Sequence, residues 1–303
     1  MNLQDYLEGN KVTEIGGGKS GAEVYELNGD TILKHIVRWK LKPYLFDTCT
    51  REALFYQSKA DNTRGYLPKL LKAEISDDEI ILVIKKYARP DRRDINESLL
   101  RKITGTLARI HTDTVPAFLE CDRKPAELPD EKYITDTVNG WKSVLDEHPG
   151  VFDAAPLDAV AEKIRGIVAW HDSEERVLVH GDFHWDNLLV DGQGNILACD
   201  WQVVSVGRAS DDLGFFMNRL GADGIILDPE SFLRLYADAL RELTGRVLDT
   251  KNVIRQIRAA NVIASFFFWH LYIHGSDTGR VRGIYERMID DFRAWESLPD
   301  SSK

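Results

Sequence analysis

Asp182, Asn187 and Asp200 fall within residues 177–202, which read VLVHGDFHWDNLLVDGQGNILACDWQ. Asp182 and Asn187 stand five positions apart in a loop between two short apolar runs, and Asp200 ends a third run. The three side chains can therefore converge at one end of a hairpin. Phosphoryl transfer needs such a set: one carboxylate to orient an acceptor hydroxyl, then a carboxylate and another oxygen to hold Mg²⁺, whose shell phosphates and water complete. On this reading Asp182 is the base, and Asn187 and Asp200 are metal ligands. The segment also holds a rival chemistry. His180, Asp182, His184 and Asp186 alternate and, with Asp200, could ligate a metal in a hydrolase. Asp182 and Asn187 also suit a plain turn, and His180 suits a backbone brace.

Elements must position these groups. Short β-branched runs at residues 11–15, 22–27, 31–37, 70–75 and 79–84 predict an antiparallel sheet, with Asn28-Gly29 as a tight hairpin turn. Helix formers at 48–59 insert one helix between the third and fourth strands. Gly16, Gly18 and Gly21 lie between the first two strands, where glycine lets the backbone approach phosphate. Gly18-Lys19-Ser20 imitates the end of a P-loop, but Thr13 stands where the first glycine belongs and a strand follows where a helix is required. After the Pro-containing stretch 87–91 the period becomes helical, at 95–111, 132–147, 157–171, 232–244, 253–274 and 284–295. Strand-like text returns only at 177–179, 188–190 and 196–199, as a small β insert. The expected fold class is α+β and bilobed: residues 1–87 form a small antiparallel-sheet lobe with one helix, and residues 88–303 a larger, mainly helical lobe.

His180-Gly181-Asp182 through Asn187, then a strand and Asp200-Trp201, resembles the aminoglycoside phosphotransferase and choline kinase superfamily, relatives of protein kinases. Residues 206–213, VGRASDDL, are similar to the segment in which that family braces the catalytic loop, so the resemblance gives Asp212 a supporting role beside His180. It also implies that Gly18, Ser20 and Gly21 cover nucleotide phosphates, that Lys34 holds them, and that Glu52 positions Lys34. Lys85 to Tyr87 would meet the nucleotide base through backbone groups. Residues 103–112, ITGTLARIHT, resemble a helix end of the same family. The implied activity is phosphorylation of a small-molecule hydroxyl with ATP and Mg²⁺, with GTP open as the donor. Gly181 stands where protein kinases carry an arginine that reads a phosphorylated loop, Trp201-Gln202 replaces Phe-Gly, and no Ala-Pro-Glu segment follows. These departures favour a small-molecule kinase over a protein kinase. A nucleotide-binding pseudokinase is the alternative from another class; the intact Lys34, Asp182, Asn187 and Asp200 argue against it.

The 303 residues suffice for two lobes, and 43% hydrophobic with 29% charged residues describes an ordinary globular chain. Lys plus Arg number 39 against 49 Asp plus Glu, a net charge of −10, the wrong sign for a nucleic-acid partner and the right one for a cationic acceptor. Cys49, Cys121 and Cys199 form no close pair, which fits a reducing, cytoplasmic setting. The amino terminus lacks the order of a secretory signal, and the apolar run at 262–273 is too short to span a bilayer, so no membrane partner is expected. Trp269, Tyr272, Asp277 and Glu286 are candidates for lining the acceptor pocket. An aromatic cage suits a quaternary ammonium, converging carboxylates suit an aminoglycoside, and Trp269 and Tyr272 at helical spacing also suit a core.

Overall fold

A computed structural model of the chain describes residues 3–16, 21–61, 63–123 and 127–297. It opens with a short helix α1 (Leu3–Leu7), then β1 (Val12–Glu14), β2 (Glu23–Leu27), β3 (Thr31–Val37), helix α2 (Pro43–Ser58), β4 (Leu70–Ile75) and β5 (Glu79–Lys85). The strands form one antiparallel sheet in the order β1-β2-β3-β5-β4. Successive strand side chains point to opposite faces, and each face of this sheet has its own apolar cover. Leu33, Ile81 and Val83 pack under Leu3, Tyr6 and Leu7 of α1. Ile36 and Ile80 pack against Phe46, Cys49 and Ala53 of α2. Lys34 has the parity of Ile36, which places it on the α2 face. In α2, Cys49, Glu52, Ala53 and Tyr56 are all buried at spacings of three and four, so Glu52 sits on the face turned inward.

The expected strands are all present. Two expectations for this lobe are corrected. The inserted helix begins at Pro43, well before residue 48, because proline at the first turn costs no hydrogen bond there. Helix α1 was not foreseen, being too short to show a period.

Beyond β5 come α3 (Glu97–His111), α4 (Glu131–Asp146), α5 (Ala155–Asp172), β6 (Arg176–Val179), β7 (Leu188–Val190), β8 (Ile196–Ala198), β9 (Ser205–Arg208), α6 (Ala209–Ala222), α7 (Pro229–Thr244), α8 (Thr250–Phe268) and α9 (Thr278–Ser297). Asn96, Asp130, Asp228 and Asp249 cap four of these helices by accepting amide hydrogen bonds in the first turn. The expected single β insert is instead two separate two-stranded ladders, β6 with β9 and β7 with β8. The segment carrying Asp182 and Asn187 therefore leaves one ladder at Val179 and enters the other at Leu188. Helix α6 was not expected, and α8 stops at Phe268, where a single 3-10 turn, Trp269–Leu271, replaces the helix anticipated to residue 274.

The largest apolar cluster joins Phe55, Tyr56, Leu82 and Ile84 to Leu107, Leu178, Phe183, Trp201 and Phe216 without interruption. A second cluster lies among α4, α5, α8 and α9. No helix among the described residues is long and apolar enough to cross a membrane.

Candidate active site

The sheet and the catalytic segment meet at Lys34. Its ammonium donates to both oxygens of Glu52, at 2.9 and 3.1 Å, and to Asp200 Oδ1 at 3.3 Å, across 166 positions of sequence. Burial works against the charged lysine, but Glu52 and Asp200 outweigh it and hold the Lys34 pKa above its ordinary value. Burial likewise pushes the Glu52 carboxyl up, with Lys34 pulling the other way. The Glu52 side chain is 2% exposed, whereas that of Asp200 is 41% exposed. One end of the network is thus fixed and the other open to a ligand. The next residue locks this arrangement: the Trp201 amide donates to Glu52 Oε1 at 3.3 Å, and its buried indole stacks on Phe55 with ring centroids 4.5 Å apart.

The loop that carries Asp182 is held from behind. Asp212, at the start of α6, accepts from the amides of His180 and Gly181, each at 2.8 Å. His111 lies 3.2 Å from the same carboxylate and 2.8 Å from the Tyr236 hydroxyl. Burial alone would raise the Asp212 pKa, but the hydrogen bonds from His111 and the backbone outweigh it and keep the group below its ordinary value. His180 is fully buried, and burial lowers its pKa. Its Nδ1 accepts from the Asp182 amide at 3.2 Å, and its Nε2 lies 3.0 Å from the Cys199 carbonyl, so the neutral ring donates through Nε2. With both nitrogens used, His180 has none left for a metal. Among the described residues no group of three or more His, Cys, Asp or Glu is disposed to hold one, and the hydrolase alternative loses its ligand set.

Asp182 and Asn187 stand together. Asn187 Nδ2 donates to the Asp182 carbonyl at 2.9 Å and to Asp182 Oδ2 at 3.3 Å. Its nitrogen is thereby committed, which leaves the amide oxygen as a hard donor. The Asn187 carbonyl accepts from the Cys199 amide at 2.9 Å, tying it to the strand end that carries Asp200. An amide oxygen and a part-exposed carboxylate fit Mg²⁺, which prefers few protein oxygens and keeps the rest of its shell for phosphate and water. Asp182 is 39% exposed at its side chain, with His184 Nε2 at 3.4 Å from Oδ2.

The remaining expected residues are placed as follows. Gly18 and Ser20 lie outside the described residues. Gly21 has φ +74°, and a Cβ there would stand 2.5 Å from Leu41 Cδ2, so the turn into β2 requires glycine. The Lys85 amide donates to the Lys69 carbonyl and the Lys86 amide to that of Asp30, and no backbone partner is formed by the Tyr87 amide among the described residues. The Lys85 ammonium sits 5.6 Å above the Tyr87 ring. Trp269 and Tyr272 are exposed beyond the end of α8, and Glu286 is exposed on α9. Asp277 Oδ1 accepts from the Arg280 amide and so is engaged in starting α9. No hydrogen bond or ion pair among the described residues joins these four to the catalytic segment. The P-loop imitation is followed by strand β2, as expected of a hairpin.

Sequence reasoning passed over Arg89 and Arg92. Arg89 donates to the Asp186 carbonyl, and Arg92 bridges Asp186 at 2.6 Å and Asp223 at 2.8 Å, fastening the segment after β5 to the catalytic loop. Phe215 was missed as well; its ring lies 6.2 Å from that of His184. Isolated arginines in a polar stretch carry no motif, so nothing in the sequence marks them.

Similar folds occur among solved structures. Aminoglycoside phosphotransferase APH(2'')-Ib in its ADP-bound form is 14% identical with a TM-score of 0.64, covering 95% of this chain and 95% of its own. APH(2'')-IIia in complex with GDP and kanamycin is 14% identical with a TM-score of 0.61, covering 94% and 93%. An ethanolamine kinase from Plasmodium vivax is 14% identical with a TM-score of 0.58, covering 97% and 86%. At this identity the likeness is one of fold. No curated protein matches the sequence. The sequence model of the phosphotransferase enzyme family, APH, matches residues 11–250, a span that contains every residue from the glycine run to Asp212, and the chain belongs to that family.

Proposed function

We propose that the protein transfers the terminal phosphoryl group of a nucleoside triphosphate, ATP in the first instance, to a hydroxyl of a small molecule. The observation that carries this reading is the Lys34 ammonium, anchored by buried Glu52 and touching part-exposed Asp200, whose neighbour Cys199 is tied by its amide to Asn187, the partner of Asp182. Lys34 offsets phosphate charge, and Glu52 keeps it from collapsing onto Asp200 alone. Asn187 and Asp200 would hold Mg²⁺, which when bound neutralises charge developing on the transferred group. Asp182 accepts the acceptor's hydroxyl hydrogen bond, aligns its oxygen and takes its proton as the new bond forms. His184 stands beside that carboxylate, with Phe215 next to the His184 ring, and the two would border the acceptor. Trp269, Tyr272 and Glu286 are the proposed contacts for its body.

ADP release with Mg-ATP, and GDP release with Mg-GTP, across aminoglycosides, choline, ethanolamine, homoserine and sugars tests the proposal. The likeness to proteins solved with ADP, with GDP and kanamycin, and to an ethanolamine kinase supports that choice of panel. One acceptor should stimulate release, and Asp182→Asn should cut turnover by roughly 10³-fold while leaving nucleotide affinity unchanged. Near-normal turnover in that variant would sink the role given to Asp182. Nucleotide binding with silence across the panel would favour the pseudokinase alternative, and loss of nucleotide binding would overturn both readings.

A further inference from the structure

Behind the catalytic loop lies a cavity of about 480 Å³ that shares no residue with segment 180–201. It opens at the N-terminal end of β6, whereas the catalytic loop leaves from the other end of that strand. Trp170, Val177, Leu240, Leu248 and Val253 supply apolar wall. Four charged residues line it, Glu174, Glu175, Arg246 and Asp249; Asp249 is engaged in capping α8 through the Lys251 and Asn252 amides. The Glu174 carboxylate accepts from the Ser210 hydroxyl at 2.6 Å and from the Ser210 amide at 3.4 Å, and no lysine or arginine pairs with it among the described residues. The one arginine in the lining, Arg246, is already paired with exposed Glu175 at 2.6 Å. Among the described residues an anion entering the cavity therefore meets no unpaired lysine or arginine, while a cation meets Glu174, on which only His171, outside the lining, acts from the positive side. Burial pushes the Glu174 pKa up to about 7, and the Ser210 hydrogen bonds and His171 offset it only in part.

We propose that this cavity is a second small-molecule site, which takes a primary ammonium with a compact, largely apolar body, the ammonium meeting Glu174 and the body lying against Trp170, Leu240 and Val253. The volume suits an organic ligand and exceeds the need of a single ion. The site reports to the catalytic loop by two routes. His111 and Tyr236 line the cavity, and His111 touches Asp212, which holds the His180 and Gly181 amides. Glu174 itself grips Ser210, two residues before Asp212. An occupant that draws on Glu174 or Tyr236 shifts the groups that set the position of Asp182.

The inference stands apart from the proposed phosphotransfer, and calorimetry on the intact protein tests it without any turnover. The probes are 2-phenylethylamine, cyclohexylmethylamine and the uncharged 2-phenylethanol. At least one amine should bind saturably at millimolar concentration or below, about tenfold tighter than the alcohol, a margin typical of one charge-assisted contact. Glu174→Gln keeps a partner for Ser210 and should erase the preference for the amine. Asn252→Trp fills the cavity without touching Glu174 and should block both kinds of probe. In ADP release the binding amine should change turnover of the wild type at concentrations that leave Glu174→Gln unaffected, with basal turnover of Glu174→Gln unchanged. Absence of binding by either amine, equal binding of amine and alcohol, or an undiminished preference in Glu174→Gln would overturn the site. Binding with unaltered turnover would overturn its link to the loop.

Discussion

Asp200 has φ +66° and, with Asn28, is one of two non-glycine residues in the left-handed region among those described. Asn28 occupies a hairpin turn where that backbone is ordinary; Asp200 does not, and a strained aspartate of this kind belongs to functional sites. Its neighbours hold it: Lys34 takes Oδ1, while the following Trp201 is clamped by its amide on Glu52 and its ring on Phe55. The network is most sensitive at Lys34, because removing a lysine from a buried pair leaves a carboxylate without a counter-charge. Lys34→Ala should lower the denaturation free energy by roughly 3 kcal/mol, and Lys34→Ala combined with Glu52→Gln should restore part of it. Chemical denaturation of the two variants at an unchanged slope measures the difference. A double variant no more stable than the single would show that Glu52 is not the stranded group.

At the scale of elements, residues 31–37 and 70–75 are strands as the alternation predicts, and Asp182, Asn187 and Asp200 were legible because they sit close together between two recognisable runs. Helix α6 was hidden because Phe215 points away from the core that Leu213 and Phe216 enter, which blurs its period. The end of α8 was hidden because residues 269–273 continue the apolar spacing after the backbone has turned, and β9 has only four residues and no alternation. The acceptor groups were least legible, since they are drawn from distant segments. The junction of α5, β6 and α6 offers a pH test at Glu174. Its folded pKa lies above that of an unfolded glutamate, so the folded state holds the proton longer and stability falls as pH rises from the unfolded value towards about 7. Glu174→Gln should therefore melt higher than the wild type above pH 7, by on the order of 1–3 kcal/mol, and lose that advantage at acid pH. Thermal melts of both proteins across pH decide this; parallel curves would contradict a Glu174 pKa raised by burial.

At the scale of the whole molecule, the main apolar cluster passes from the sheet lobe into the helical lobe through Phe55, Trp201 and Leu178, and Arg51 adds a polar tie across the same seam to the Val204 carbonyl. A core shared in this way couples the two lobes, so one calorimetric transition is expected. Trp201→Ala should lower stability by about 3–5 kcal/mol and split that transition in two; a single sharp peak at an unchanged temperature would show that the indole does not join the lobes. Gly181 has a different bearing. It is exposed, with φ +80°, and a Cβ there would stand 2.5 Å from the Val203 carbonyl oxygen. Every glycine codon lies one base change from an arginine codon, so a single mutation can bring to this position the arginine of regulated kinases. The Val203 backbone refuses it. The barrier between this catalytic loop and one that answers to phosphorylation is thus steric and not genetic, and a descendant would have to rebuild the chain around residue 203 before the new side chain had anywhere to go.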